Sequence, residues 1–429
     1  MTAEMGVTDR QQNKKVLIVS FYFPPSSGAA VQRTLKAAEY LPEFGWDPII
    51  LTAKPFAYDS LENSQSIPTS LTNKVFRTSA WDVNNHLSIK GKHLGWMSSI
   101  DRWSTWIPGA IFRGLKIIRE YKPDLILSTT PTPSANIIAR ALSKITKTPW
   151  VADYQDPFSY HNYPTSWLKI KAQKSIDKST IHNCSAAIFA TPNAQDLYKK
   201  AFPSVPEKNF HVVENGFDEK NWQKIENYKP LSSSPFNQNK FSLFYSGVLY
   251  SNGRNPDPLF RALNLLKSNN LINSDNFELI FQGSGNGENF KTALNDLDIT
   301  DLVRFTDNVP YLDSLFFMTK AAALILIQDK VFNLQVPGKL YEYFRSGRPV
   351  LTITPQGSAT AKTASSYPLS RISNKAEGIA DIISDWFKNH LKSHNSTNLQ
   401  HFSRHSKTSE FAKVFDLIVG GNDKKSKFH

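Results

Sequence analysis

The segment Gln335–Leu351, QVPGKLYEYFRSGRPVL, contains a complete helix-to-strand unit. Pro337 is typical of a helix start, Gly347 is typical of the residue after a helix end, and the proline that follows it prevents continuation. The apolar residues at the end of the segment predict a buried strand. Lys339 and Glu342 are therefore expected at a helix start on the carboxyl edge of an α/β sheet. Nucleotide-type ligands bind at that position.

The size and composition indicate a two-domain folded protein. A chain of 429 residues suits two domains of about 200 residues each. A hydrophobic content of 40% and an aromatic content of 12% are typical of folded proteins. Cys184 is the single cysteine, which excludes an intrachain disulfide and favours a reducing compartment. The predicted location is the cytoplasm.

The amino-terminal apolar run Val16–Phe23 follows two lysines, as in a signal peptide, but it is short and leads into two prolines. A buried first strand is the better interpretation. No stretch approaches the roughly 18 consecutive apolar residues of a membrane-spanning helix.

The net charge of +13 implies an anionic partner, which is a nucleic acid, an anionic membrane or a phosphorylated substrate. The chain has no zinc-finger spacing and no RNP-like strand, and its densest basic run is the tail at Lys424–Lys427. We therefore expect no nucleic-acid partner.

Short apolar runs alternate with helical patterns twice along the chain, which predicts an α/β protein with two Rossmann-like domains facing a cleft. The predicted strands of the first half are Val16–Phe23, Pro48–Ala53, Asp124–Thr130, Trp150–Tyr154, Ala186–Thr191 and His211–Glu214. Those of the second half are Phe241–Ser246, Phe277–Gln282, Val303–Thr306, Ala322–Ile327 and Pro349–Ile353.

The Pro-, Ser- and Asn-rich segment after Tyr228 is the predicted linker. The predicted boundaries are residues 1–228 for the first domain, 229–240 for the linker, 241–400 for the second domain and 401–429 for a C-terminal helix with a basic tail. An apolar stripe within Thr408–Val419 predicts that this helix packs back on the body of the protein.

Two strand-to-helix turns are candidates for phosphate binding. In Phe23–Arg33, Gly28 lets the backbone approach a ligand closely, and the new helix offers unpaired N–H groups. The corresponding turn of the second half contains Gly247, and Arg254 follows it in a position to clamp a diphosphate. A plain turn and a solvated arginine are the alternatives.

Weaker signals follow the next two strands of the second half. Gly283 belongs to the glycine-rich turn QGSGNG, which would open the cleft wall, although such turns are common. The backbone of Val309 would meet a nucleobase.

The segment WVADYQDP places Asp153 and Asp156 at the carboxyl end of a first-half strand. Carboxylates there can bind a substrate hydroxyl or act as a general base. The alternative is that one of them caps the following turn. His161 and His182 are additional candidates for polar contacts.

A basic and tryptophan-rich segment has two interpretations. It contains Lys90 and Lys92 beside Trp96, Trp103 and Trp106. This composition suits a membrane interface that captures a lipid-linked acceptor. An aromatic loop packed on the domain core explains it equally well.

We predict no bound metal and no cofactor. The chain contains no HExxH or CxxC pattern. Asp296 and Asp298 lie in an apparent helix, where positions two apart point to different faces.

The motifs VLIVSFYFPPSSGAAVQR, KPDLILSTTPTPSANIIA, WVADYQDPF, FYSGVLYSNGRNP, FQGSGNG and VPGKLYEYFRSGRPVL occur in this order over both halves. In this combination the chain resembles the GT-B-fold glycosyltransferases of the family-four, retaining, nucleotide-sugar-dependent type. The resemblance implies a donor bound mainly by the second half, and a final helix that crosses back onto the first domain.

The resemblance also implies residue roles. It places Arg254 and Lys339 near the donor diphosphate, Glu342 on the ribose and Gly28 near the phosphates. The backbone of Val309 would lie near the base. Leu340, next to the lysine in the same motif, is included among the donor-binding residues.

The chain departs from the family pattern at two positions. Leu334 replaces the first glutamate of a paired-glutamate motif, eight residues before Glu342, so Asn333 or Gln335 would read the donor sugar instead. Gln155 stands where related enzymes often have arginine. By the resemblance, Asp156 or Asp153 contacts the acceptor or the transferred sugar.

Together with this resemblance, which alone implies retention, the sequence predicts a metal-independent, hexosyltransferase-like enzyme that acts in cell-surface polysaccharide synthesis. It would transfer a sugar from a nucleoside diphosphate sugar to a glycan or lipid-linked saccharide, with retention, at the cytoplasmic face of the inner membrane. A sugar-nucleotide epimerase or hydrolase is the enzymatic alternative. A basic module that binds nucleic acid or membrane is the non-enzymatic one.

Overall fold

The computed structural model describes residues 13–26, 28–61, 67–83, 99–160, 166–249, 252–389 and 399–426. They form two α/β domains, each built on a parallel sheet with helices on both faces.

The first domain contains a seven-stranded sheet in the order β3-β2-β1-β4-β5-β6-β7. Its strands are β1 Lys14–Ser20, β2 Trp46–Ala53, β3 Val75–Thr78, β4 Leu125–Thr129, β5 Trp150–Tyr154, β6 Ala186–Phe189 and β7 Phe210–Val212. Neighbouring strands pair in parallel, with Val16 opposite Leu125 at the centre. The near-continuous apolar character of β1, β4 and β6 fits a sheet that is covered on both faces.

Five helices follow strands of this sheet. They are α1 Ala29–Tyr40, α2 Trp106–Tyr121, α3 Pro133–Thr146, α4 Trp167–Asn183 and α5 Pro192–Ala201. Helices α2 to α5 share one core with one face of the sheet. Helix α1 packs on the other face.

The second domain contains a six-stranded sheet in the order β10-β9-β8-β11-β12-β13. Its strands are β8 Phe241–Ser246, β9 Phe277–Gln282, β10 Val303–Thr306, β11 Ala323–Ile327, β12 Val350–Ile353 and β13 Ser370–Ile372. The remaining helices are α6 Glu219–Ile225, α7 Asp257–Ser268, α8 Lys291–Asp296, α9 Tyr311–Met318, α10 Gly338–Arg345, α11 Ala359–Ser365, α12 Ala376–Asn389 and α13 Arg404–Ser426. The predicted two-domain α/β fold is confirmed.

The chain crosses from the first domain to the second earlier than the sequence predicts. Phe217, Trp222 and Ile225 are buried in the second-domain core, which assigns α6 to that domain instead of the predicted range 1–228. The predicted linker is also held against the second domain, because the buried Asp313 carboxylate accepts hydrogen bonds from the Tyr228 hydroxyl and from two backbone N–H groups of the linker.

The chain returns to the first domain through α13. The backbone N–H of Arg404 donates to the carbonyl of Phe217 at 2.7 Å. The two segments that connect the domains therefore lie side by side. Gly216 packs so closely there that a Cβ would lie 2.2 Å from the Phe402 carbonyl oxygen. Phe411 and Phe415 of α13 then enter the core beside α1. The predicted helix that crosses back is confirmed.

The tryptophan-rich segment belongs in part to the core. Trp103 and Trp106 are 3% and 0% exposed, and both contact Phe21 of the first-domain core. A membrane role is therefore wrong for these two side chains, because the core already covers them. Lys90, Lys92 and Trp96 lie outside the described residues. No helix within the described ranges is long and apolar enough to cross a membrane.

Candidate active site

The cleft-facing end of the second domain is organised around Lys339, in the first turn of α10. Pro337 precedes this helix and Gly347 follows it with a φ of 73°, as the sequence predicts. The Lys339 ammonium donates to the carbonyl of Ser246, at the carboxyl end of β8. It also lies 4.4 Å from the centroid of the Tyr245 ring. The lysine is thus fixed at the sheet edge.

Gly247 makes room for this ammonium. A Cβ at Gly247 would lie 2.5 Å from Lys339 Nζ, and its φ of 115° is a conformation that other residues rarely adopt. The close approach of backbone and cation therefore depends on glycine at the end of β8.

Burial, together with the smaller effect of the positive charge of Arg254, lowers the pKa of Lys339 to about 7, while Glu342 acts in the opposite direction. A cation with this environment gains strongly from an anionic ligand, because the ligand restores the favourable interactions that burial removes. The site is therefore electrostatically poised for a phosphate group.

Arg254 lies in a turn that the structure ties to the same edge. Its Nη1 donates to the Val248 carbonyl at 2.8 Å. The neighbouring Gly253 accepts a hydrogen bond from the Asp329 backbone at 2.9 Å and packs against the ring of Phe332. Arg254 and Lys339 therefore form one cationic cluster.

Gly283 forms the adjoining wall of the cleft. Its backbone N–H donates to Thr306, and Ser284 Oγ donates to the Gly247 carbonyl at 2.6 Å. A Cβ at Gly283 would meet Asn308 Oδ1 at 2.3 Å. The structure therefore places Gly247 and Gly283 side by side, although they lie far apart in sequence.

Glu342 lies one turn after Lys339 on α10. Its Oε1 accepts a hydrogen bond from the Tyr311 hydroxyl at 2.6 Å. Burial raises the pKa of Glu342, while this hydrogen bond and the charges of Arg404 and Lys339 oppose the rise. Glu342 is thus an oriented acceptor for a ligand hydroxyl.

Tyr311 and Arg404 were missed by the sequence analysis. Tyr311 directly follows Val309-Pro310, where the sequence predicts only a backbone contact with a nucleobase. Arg404 gave no local signal, because its charge reaches Glu342 only through the return of the chain to the first domain.

Two residues that the sequence predicts to bind the donor pack against the second-domain core. The Leu340 side chain is fully buried in the second-domain core, and its backbone N–H donates to Pro337. It therefore offers the cleft no free group. Val309 packs partly buried against the same core, directly before α9.

Gly28 directly precedes α1 with a φ of 103°, and among the described residues no atom outside its chain neighbours lies within 4 Å of the position of a Cβ. It follows β1 at the carboxyl edge of the first sheet. The predicted open approach to a helix start is therefore present.

The two first-domain aspartates differ sharply. Asp153 is 2% exposed and pairs with Arg33 at 2.7 Å, and it also accepts a hydrogen bond from Thr129. Arg33 in turn donates to the Val213 carbonyl, next to the interdomain passage. Asp153 therefore has the surroundings of a structural ion pair.

The Asp156 carboxylate, in contrast, accepts no hydrogen bond from the described residues, and only the backbone carbonyl of Asp156 accepts one, from the Thr130 hydroxyl. Burial raises the pKa of Asp156 to about 6, although the charge of Arg33 lowers it. Its carboxyl group is therefore the one of the two that is available to a substrate. Gln155 donates to Thr129 and to the Ala30 carbonyl.

The two domains touch at Leu334. Thr191 Oγ1 donates to the Leu334 carbonyl at 2.8 Å, and Asn193 donates to the Gly357 carbonyl at 3.0 Å. The Asn333 Oδ1 atom is buried and accepts no hydrogen bond from the described residues. Thr191 follows β6 and Leu334 follows β11, so the carboxyl edges of the two sheets face each other.

The remaining candidates lie elsewhere. His182 is near the end of α4, at the opposite edge of the sheet, where it contacts the Lys178 carbonyl. His161 lies outside the described residues. In the described part of the chain, no three His, Cys, Asp or Glu side chains form a group suited to a metal ion.

Residues 30–221 match the family model of Glycosyltransferase Family 4. Sucrose-phosphate synthase from Thermosynechococcus elongatus superimposes with a TM-score of 0.60 at 11% identity, covering 97% of this chain and 98% of that one. The HepE protein of Anabaena, solved in complex with UDP-glucose, gives 0.58 at 14% identity over 97% and 100% of the two chains. The chain has the GT-B fold.

An epimerase, which catalyses a different reaction from a glycosyltransferase, also has this GT-B fold. The UDP-GlcNAc 2-epimerase of Methanocaldococcus jannaschii superimposes with a TM-score of 0.55 at 11% identity, covering 93% of this chain and 99% of that one. No curated protein matches the sequence. The fold alone therefore does not determine the reaction.

Proposed function

We propose that the protein is a glycosyltransferase that transfers a sugar from a nucleoside diphosphate sugar to a hydroxyl of an acceptor, with retention at the anomeric carbon. The observation that carries the proposal is the Lys339 ammonium, held beside Gly247 at the cleft edge and joined there by the charge of Arg254. Two neighbouring, partly buried cations beside open backbone suit a diphosphate.

In this mechanism Lys339 and Arg254 stabilise the negative charge that develops on the leaving diphosphate as the glycosidic bond breaks. No metal is required for that step. Glu342, oriented by Tyr311, accepts a hydrogen bond from the ribose. Asp156 contacts the acceptor or the transferred sugar from the opposite domain. Closure of the domains excludes water and aligns donor with acceptor.

We assign recognition of the donor sugar to the segment around Leu334. A leucine side chain cannot accept a hydrogen bond from a sugar hydroxyl. The buried Asn333 Oδ1 atom can accept one, and no donor among the described residues occupies it. A buried acceptor of this kind gains most from a ligand hydroxyl. Gln335 is the second candidate in this segment.

The proposed acceptor is a glycan or a lipid-linked saccharide, and the proposed process is cell-surface polysaccharide synthesis at the cytoplasmic face of the inner membrane. The net charge of +13 supports an anionic substrate and an anionic surface. Epimerisation of a sugar nucleotide is the second candidate, because an epimerase shares the fold.

A screen of nucleoside diphosphate sugars by thermal shift tests donor binding. A ligand that binds only the folded protein stabilises it by about 2.7 kcal/mol at a concentration 100 times its Kd. We expect one nucleotide sugar to raise the unfolding temperature more than its free nucleoside monophosphate does. Equal shifts for all compounds, or none, would contradict the assignment.

Donor binding should depend on pH through Lys339. Because its pKa is about 7 in the free protein and a bound diphosphate favours the charged form, binding takes up a proton above pH 7. Affinity for the selected nucleotide sugar is expected to fall with rising pH, by up to about tenfold per pH unit. Calorimetry in two buffers of different ionisation enthalpy measures the uptake. Lys339→Arg should remove it, and a pH-independent wild type would refute this role.

A further inference from the structure

Helix α4 of the first domain exposes apolar side chains at its start. Trp167 is 68% exposed and Leu168 is 48% exposed. The buried side of this helix carries polar residues, including Gln173 and Asp177. An exposed tryptophan lies beside an exposed leucine at the start of a helix whose inner side is polar. Such an apolar patch indicates a surface that contacts a membrane or another molecule.

Three lysines continue from Trp167 along the same exposed face. Lys171, Lys174 and Lys178 follow at spacings of four, seven and eleven residues, which places them on one side of an α-helix. All three are exposed, and none forms an ion pair with a described residue. Asp177 does not neutralise them, because it is buried and accepts hydrogen bonds from Tyr154 and Tyr198.

The neighbouring helices extend the positive surface. Together α2, α3 and α4 carry nine Lys and Arg residues but only two acidic residues, and the buried Asp177 is one of the two. On α2, Phe112 is 63% exposed and lies under the Lys116 ammonium. The layer therefore combines excess positive charge with exposed aromatic rings.

We propose that this layer, with the α4 stripe of Trp167, Lys171, Lys174 and Lys178 at its centre, docks on an anionic lipid bilayer. Indole rings favour the headgroup region, and lysines near an anionic surface each contribute to binding. A nucleic acid would use the lysines but would leave Trp167 and Leu168 without a matching apolar contact.

The position of α4 links this surface to the cleft. The helix follows β5, and its start therefore lies at the sheet edge that carries Asp156. Docking there brings the acceptor side of the cleft to the bilayer. The proposal deepens the proposed function, since it rests on an acceptor that is lipid-linked, but vesicle binding is measured without any reaction.

Co-flotation of the full chain with vesicles tests the proposal. The vesicles contain phosphatidylcholine alone or phosphatidylcholine with about one third phosphatidylglycerol. We expect binding only to the anionic vesicles, weakened by salt. The triple variant K171A/K174A/K178A is expected to bind at least about tenfold more weakly. Trp167→Ala should also weaken binding, with less dependence on salt.

The matched control is K291A/K375A/K388A, which removes three charges from exposed second-domain positions. It should bind vesicles like the wild type. Equal losses in both triple variants, or no loss in the α4 variant, would overturn the proposal. The proposal would also be overturned if the wild type bound an oligonucleotide but no vesicles, and the α4 variant lost the oligonucleotide binding. An unchanged donor thermal shift in the α4 variant shows that it is folded and separates this test from that of the donor site.

Discussion

Replacing Lys339 with alanine is expected to lower turnover by about 10²–10³-fold, the effect of removing a group that stabilises developing charge. The folded protein should not become less stable. Because its pKa is lowered to about 7, Lys339 binds its proton more weakly in the folded state than in the unfolded state. The resulting destabilisation of the folded state is present at neutral pH and disappears as the pH rises toward the ordinary pKa of lysine. Steady-state kinetics and denaturant unfolding at pH 7 measure the two effects.

The control for this substitution is Lys362→Ala, at an exposed lysine on α11 of the same domain. It removes the same charge and should leave both turnover and stability unchanged. If Lys339→Ala retained turnover within about threefold of the wild type, Lys339 would not stabilise the leaving group.

Substitutions at Asp153 and Asp156 are expected to separate folding from catalysis. Arg33→Met leaves the Asp153 carboxylate buried without its cation, and removing one partner of such a pair costs about 3–5 kcal/mol of unfolding free energy. Asp156→Asn should instead lower turnover with little loss of stability. Since burial raises the pKa of Asp156 to about 6, its ionised form destabilises the fold above that pH, and the amide removes this cost.

The double variant Arg33→Met, Asp153→Leu is the control for the ion pair, because it removes both charges together. It should recover a large part of the stability that Arg33→Met loses. A marginal stability change in Arg33→Met, together with a catalytic defect in Asp153→Asn of the size expected for Asp156→Asn, would show that Asp153 acts on the substrate.

Much of the second-domain site followed from the sequence because its signals are local. Pro337 and Gly347 bound a helix through their own backbone preferences, so the position of Lys339 could be predicted without knowledge of distant contacts. The same holds for Gly247, which directly follows the mostly apolar strand β8. The short strands β3 and β13, with four and three residues, carry too little apolar pattern to be recognised.

The other parts of the site depend on contacts between residues far apart in sequence. Asp153 and Asp156 lie in one short segment, and contacts from Arg33 of α1 and Thr129 of β4 distinguish them. Trp103 and Trp106 could not be assigned to core or membrane by composition, because tryptophan suits both until Phe21 is seen to cover them. Arg404 enters the site only through the second passage between domains.

Transfer of labelled sugar distinguishes a glycosyltransferase from an epimerase or a hydrolase. The nucleotide sugar that gives the largest thermal shift is prepared with an isotopically labelled sugar and incubated with saccharide and lipid-linked acceptors. The products are then identified by mass spectrometry. We predict that label appears in an acceptor product, with one nucleoside diphosphate released per sugar transferred, and that Lys339→Ala lowers the initial rate of both signals by about 10²–10³-fold. Label that appears only in free sugar or in an isomer of the donor would contradict the proposed glycosyltransferase activity.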